Sequence, residues 1–312
     1  MKIKDLKEKE SFELQVLLQK CNSGVTNTGS PYLSLNLQDS SGSIEGKVWD
    51  AKPGIVEKCV TGEVITIKGT VNLYQQNLQL KITDVSRLDQ STIEIEDFIM
   101  AAPIESFKLK EGIEEAWVLI QNSIISKTVR DLLDKNEEKL YQYPAASRNH
   151  HDYFGGLAMH IRDMVKLALA VCEVYPSLNR DLLIAGVLLH DLGKIKELSG
   201  PIATEYTTEG KLIGHISLMQ SEIAQYSIEH GLEDSEELLL LRHMILSHHG
   251  EYDFGSPVLP LIKEAEVLSF IDNIDARINM IDKALATVKP GEFAMRSYSL
   301  ENRGFYKPKD EK

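Results

Sequence analysis

The segment DLLIAGVLLHDLGK, residues 181–194, decides how this chain is read. Its eight consecutive apolar residues, 182–189, predict a buried helix and fall far short of the roughly 18 needed to span a bilayer. The pair His190–Asp191 closes that helix, and Gly193 is expected to end it. An imidazole beside a carboxylate offers two kinds of metal donor from neighbouring positions. One ion can take both, or two ions can divide them. A lone histidine at the end of a buried helix is ordinarily a structural hydrogen-bonder, so its neighbours must decide.

Those neighbours are unusual. All nine histidines (His150, His151, His160, His190, His215, His230, His243, His248 and His249) lie between positions 150 and 249. Helical periodicity begins at Gly112 and predicts helices over 157–175, 181–191, 215–230, 233–248 and 265–289. His160, His190, Asp191, His215, His248, His249 and Asp272 therefore come from several helices, as in bundle metal sites. Imidazole and carboxylate without thiolate suit Mn²⁺, Fe, Co²⁺ or Zn²⁺ better than Ca²⁺. Seven candidates exceed what one open ion needs, so two ions about 3.5–4 Å apart are expected. Either His248 or His249 fits the register. Asp275 is read as a surface partner of Arg277 or Lys283 in preference to a support for a ligand, and His230 and His243 as bystanders. Arg148, His150 and His151, just before the first ligand, are positioned to meet substrate.

Working outward, the first 90 residues change character. Runs rich in β-formers occupy 12–19, 31–38, 43–49, 63–73 and 77–85, with alternation in YLSLNLQ and LQLKITDV. A short helix is expected over 53–59, between the third and fourth strands. That order predicts an OB-like five-stranded β-barrel, a shape that commonly binds single-stranded nucleic acid. A barrel used only for protein contact is the alternative. Tyr32, Trp49 and Tyr74, with Lys47 and Lys68 nearby, are the candidates to stack bases and meet phosphates; core packing is the competing reading for each aromatic, for Trp49 above all.

The fold class is thus multidomain α and β: a barrel over 1–88, a linker over 89–111, an all-α domain over 112–295 and an irregular tail over 296–312. Composition agrees, since 43% hydrophobic and 26% charged residues exclude a disordered chain. Cys21, Cys59 and Cys172 form no CxxC pair, and MKIKDLKEKE has no apolar core for a secretory signal, so a reducing cytoplasm is expected. The net charge of −13 argues against a simple nucleic-acid-coating protein. Yet residues 1–90 balance 11 basic against 11 acidic groups, and the whole excess lies beyond them. The tail beyond Pro290 has no evident core, which suggests docking on a second subunit in a homo-oligomer.

Order now adds specificity. GGLAMH (155–160), LLHDLGK (188–194), GH (214–215), SHHGE (247–251) and FIDNIDA (270–276) resemble the HD superfamily of metal-dependent phosphohydrolases, whose signature is H…HD…D on an all-helical domain. By that resemblance His160, His190, Asp191 and Asp272 match the principal ligands, and His215, His248 and His249 the extra ligands of binuclear members. Lys194 matches the lysine near the substrate phosphate, and Asp191 and Lys194 are the catalytic candidates. With the barrel, PAASRNHHDYFGGLAMH (144–160) and the closing FYKP (305–308), nearly the whole chain resembles the YhaM family of bacterial 3′-to-5′ exoribonucleases. The resemblance implies Mn²⁺-supported hydrolysis of single-stranded RNA, and of DNA as a second substrate, to nucleoside 5′-monophosphates. A small-nucleotide phosphodiesterase, and a non-catalytic single-strand-binding factor, are the competing readings.

Overall fold

A computed structural model describes residues 1–74, 77–147 and 151–309. The chain forms two compact units, one of Met1–Ala101 with Gly200–Thr204 and the other of Ala102–Ser199 with Glu205–Lys312.

In the first unit, β1 (Ser11–Val25), β2 (Pro31–Asp39), β3 (Gly42–Trp49), β4 (Val64–Tyr74) and β5 (Asn77–Arg87) close into a barrel in the order β1-β2-β3-β5-β4, with α1 (Pro53–Val56) between β3 and β4. Closure comes from β1 pairing antiparallel with both β2 and β4, while β3 meets β5 in parallel. Alternation sends Phe12, Leu14, Val16 and Leu18 inward beside Leu33, Leu35 and Leu37. The inward phase of β5 slips between Ile82 and Val85 because Gly69 pairs with Ile82 while Lys68 pairs with Asp84. The extra residue, Thr83, turns its hydroxyl to the Lys68 carbonyl. Only glycine fits at 69, where a Cβ would lie 2.0 Å from the Lys81 carbonyl oxygen.

The second unit is helical: α2 (Ser106–Val118), α3 (Ser123–Lys135), α4 (Glu137–Leu140), α5 (Gly156–Val174), α6 (Arg180–Leu189), α7 (Lys194–Glu197), α8 (Thr208–Ile213), α9 (His215–Glu229), α10 (Glu236–Ser247) and α11 (Lys263–Leu285). Every residue of α6 from Leu182 to Leu189 is buried, so the diagnostic helix is the axis of the core, packed by α3, α5, α10 and α11. Asn179 caps its start by accepting from Leu182 N, and Asp181 accepts from the Gln121 and Asn122 amides, tying α3 to the same end. Helix α2 begins at Ser106, before the expected Gly112, because exposed Phe107 and its charged neighbours mask the pattern while Leu109 is buried. Asp131 and Lys135, four residues apart on α3, reach across to Tyr226 and Glu222 of α9. Among the described residues no helix is long and apolar enough to cross a membrane.

Candidate metal centre

Five helices bring the candidate ligands together: His160 from within α5, Asp272 from within α11, and the others from the ends of α6, α9 and α10. His190 and Asp191 leave α6 in a tight turn, closed by Lys194 N bonding to the Asp191 carbonyl. Gly193, expected to end α6, lies beyond its last residue Leu189 and, with φ −59°, serves as the residue before α7. Its need is for space: a Cβ there would sit 2.3 Å from the carbonyl oxygen of His215. The HD turn and the first residue of α9 therefore touch backbone to backbone. His248 and His249 end α10, and Gly250, at φ 79°, turns the chain away.

Five imidazoles share one arrangement. The Nδ1–H of His190 donates to the Val187 carbonyl at 2.9 Å, that of His248 to Ile245 at 2.7 Å and that of His249 to Phe254 at 2.7 Å. His160 Nδ1 meets Asp275 Oδ2 at 2.6 Å, and His215 Nδ1 meets Glu197 Oε1 at 2.9 Å. An oxygen that can only accept fixes the proton on Nδ1, leaving each Nε2 with a lone pair for a ligand role. Those Nε2 atoms converge. His160 and His190 stand 3.2 Å apart, with Asp272 Oδ1 3.3 Å from His160. Two lone pairs so close require a cation or a proton between them.

Asp191 divides its carboxylate. Oδ2 lies 3.4 Å from His190 Nε2 and 3.6 Å from His160 Nε2, while Oδ1 lies 3.4 Å from His215 Nε2 and 3.8 Å from His248 Nε2. Donor atoms of His160, His190 and Asp272 fall within 4.8 Å of one another, as do those of His215, His248 and His249. Both histidines of the adjacent pair thus belong to one group. Asp191 Oδ1, His215 Nε2 and His248 Nε2 are buried without any hydrogen-bond partner. Orphaned buried atoms of this kind are costly unless something fills the space between them. Their chemistry fits divalent ions.

The electrostatics agree. Burial opposes charge on Asp191, yet Lys194 and the neighbouring imidazoles outweigh it and hold the carboxyl well below the usual range. Asp272 and Asp275 are depressed too, against burial, by their bonds to His160 and, for Asp275, His151. Burial works against a charged His160, but Asp272 and Asp275 overcome it and raise its pKa to about 10. Burial and the neighbouring imidazoles push His248 and His249 down.

Two supports were not legible as such. Asp275, expected to pair with Arg277 or Lys283, instead holds His160 and meets His151 Nε2 at 2.8 Å. Arg277 pairs with Glu301 and Lys283 with Asp152. Glu197 of α7, which no motif marks, receives both the backbone N–H and the Nδ1–H of His215. His151 is 3% exposed and bonded to Tyr153 and Asp275, so it buttresses the centre from within instead of lying open to substrate. Arg148 and His150 lie outside the described residues. Lys194 Nζ stands 2.6 Å from Asp191 Oδ2; burial opposes its charge, but the carboxylate raises its pKa. His230 stacks on Tyr226 and His243 Nε2 accepts from Leu261 N, both away from the ligands.

On the barrel, the Tyr32 ring lies over Gly24, where a Cβ would come within 2.7 Å of its outer atoms. Trp49 is not core: it is 45% exposed and tilts against Tyr32 at 5.4 Å between centroids. Lys47 Nζ sits 5.5 Å above the Tyr32 ring and pairs with Glu45 at 2.7 Å. Tyr74 is exposed at the end of β4, and Lys68 pairs with Glu13.

Comparison with known proteins divides the chain in the same way. Residues 157–277 match the HD domain model and residues 17–88 the model of an OB-fold nucleic acid binding domain. A curated relative from Geobacillus sp. (strain WCH70), 3′-5′ exoribonuclease YhaM, is 46% identical over 300 residues, covering 96% of this chain and 92% of its own. The protein of that name from Bacillus subtilis (strain 168) is 45% identical over 96% of this chain and 95% of its own. Among solved structures, a domain of replication protein A from Methanococcus maripaludis is 22% identical, covers 29% of this chain and 97% of its own, and has a TM-score of 0.26.

Proposed function

Because the chain belongs to the YhaM family of 3′-to-5′ exoribonucleases, we propose that it removes nucleoside 5′-monophosphates one at a time from the 3′ end of single-stranded RNA, with single-stranded DNA as a second substrate, in RNA trimming and turnover in the cytoplasm. The observation that carries this reading is the divided carboxylate of Asp191, each oxygen facing its own group of histidine Nε2 atoms.

His160, His190, Asp272 and Asp191 Oδ2 would hold one divalent ion, and His215, His248, His249 and Asp191 Oδ1 the other. When bound, such ions would acidify a water for attack and neutralise charge gathering on the phosphate; the imidazole and carboxylate donors suit Mn²⁺, Fe, Co²⁺ or Zn²⁺, and the family resemblance points to Mn²⁺ among them. The protein contributes the rest. Val187, Ile245 and Phe254 carbonyls and the Asp275 and Glu197 carboxylates keep the five rings in one tautomer, so no reorganisation is needed when the ester arrives. Lys194 fixes the orientation of Asp191 and places a positive charge beside the reacting phosphate. On the barrel Tyr32, Lys47 and Tyr74, joined by Trp49, stack bases and meet phosphates of the strand.

The test uses 5′-labelled and 3′-labelled single-stranded RNA, with and without Mn²⁺. Expected are a ladder shortening from the 3′ end for the 5′ label, immediate release of labelled mononucleotide for the 3′ label, and silence when a chelator removes the metal. Cleavage from the 5′ end, or unchanged trimming by folded Asp191→Ala, would overturn the reading.

A further inference from the structure

The helical unit ends in a feature that the metal centre does not use. Its last described residues fold back on themselves: Gly291 N bonds to the Lys307 carbonyl, Lys307 N to Glu292, Ala294 N to Phe305 and Ser297 N to Arg303. A single turn over Tyr298–Leu300 joins the two arms. Ala294 and Leu300 are buried and pin this hairpin down, whereas Phe293 is 68% and Tyr298 89% exposed. At Gly304 the arms approach so closely that a Cβ would meet the Ala294 carbonyl oxygen at 2.4 Å. The hairpin carries a cleft of about 510 Å³ lined by Phe293, Arg296, Asn302, Arg303 and Phe305 among others.

Charge sets this hairpin apart. Residues 91–288 hold 17 Lys plus Arg against 32 Asp plus Glu, but residues 289–309 hold five against two. Phe293 packs on Tyr306 at 5.0 Å between centroids, and the Arg303 guanidinium lies 5.3 Å over the Phe305 ring. Flat rings beside guanidinium groups on an exposed surface match the two faces of a nucleotide, base and phosphate. The hairpin is also tied to the catalytic helix, since Glu301 pairs with Arg277 at 2.7 and 2.8 Å and Lys307 Nζ donates to the Leu285 and Val288 carbonyls. Arg277 follows Asp272 by five residues on α11, about 7.5 Å along the helix axis.

We propose that the cleft of this hairpin is a second contact for single-stranded RNA, taking a nucleotide upstream of the 3′ end held at the metal centre. Its base stacks against Phe293 or Phe305, and its phosphate meets Arg296 and Arg303. The proposal rests on the exoribonuclease reading and adds a site to it. In an otherwise acidic unit, such a contact supplies the attraction that would hold a partly shortened strand between cuts.

The test compares Phe293→Ala/Arg296→Ala with the unaltered full chain, using Mn²⁺, a dinucleotide and a longer oligoribonucleotide. Neither side chain belongs to the metal centre. Expected is a KM for the longer RNA raised about tenfold, from the loss of a stacked base and a phosphate contact, with kcat and dinucleotide hydrolysis unchanged. Arg296→Lys should restore most of the phosphate contribution. An unchanged KM for the longer RNA overturns the inference while leaving the exoribonuclease reading intact. A variant whose oligomeric state changes on size-exclusion light scattering, with RNA KM unaltered, would assign the hairpin to subunit contact instead. Absence of Mn²⁺-dependent cleavage by the unaltered protein would overturn the underlying reading.

Discussion

His160 must serve two demands. As a ligand it offers a lone pair at Nε2, yet Asp272 and Asp275 raise its pKa to about 10, so at neutral pH without an ion the ring keeps a second proton. That proton lies where an ion would lie, among carboxylates that need a positive neighbour. Ion and proton therefore compete. Apparent Mn²⁺ affinity should tighten about tenfold per pH unit below pH 10, a trend that titration against a competing chelator between pH 6 and 8 would measure. The folding contribution has the opposite sign. A raised pKa stabilises the ion-free fold fully below the unfolded value near 6.5, and that contribution fades as pH climbs through about 10, which calorimetry of chelated protein would detect. Asp275→Asn removes the acceptor's charge but not its shape. The Mn²⁺ concentration for half-maximal trimming should rise about 10- to 100-fold; an unchanged requirement would show that Asp275 does not orient His160.

At the scale of elements, α6 illustrates what sequence conveys. Eight apolar residues in a row announced a buried helix, and every one of them is buried. The five strands were readable from their β-forming runs, most clearly in YLSLNLQ and LQLKITDV, where alternation with a period of two marks a strand with one buried face. Supports were harder. Glu197 lies on a one-turn helix, and its partner His215 is 18 residues away, across a contact that no local pattern encodes. Asp275 has basic residues nearby in sequence at Arg277 and Lys283, but neither stands at a facing helical spacing, and only the packing of α11 on α5 shows that it faces His160. Gly193 looked like a helix stop; its true constraint is a neighbour's backbone. Gly193→Ala should raise helix propensity yet destabilise the protein by about 1–3 kcal/mol in urea unfolding, because the methyl group has no free volume to enter. Increased stability would show that the α6–α7 turn can move away from α9.

For the molecule as a whole, a net charge of −13 first argued against nucleic acid. The distribution reverses that inference. The barrel half is neutral, the terminal hairpin is basic, and several carboxylates of the acidic remainder surround positions where ions would invert the local sign. Affinity carried by stacking and a few cations should favour single strands over duplex. All of this depends on the proposal that the two donor groups sharing Asp191 each hold an ion. Equilibrium dialysis with Mn²⁺ on the full chain, beside His215→Ala, measures it most directly. The account predicts two ions per chain at saturation and one in the variant; a single ion in the unaltered protein would contradict it.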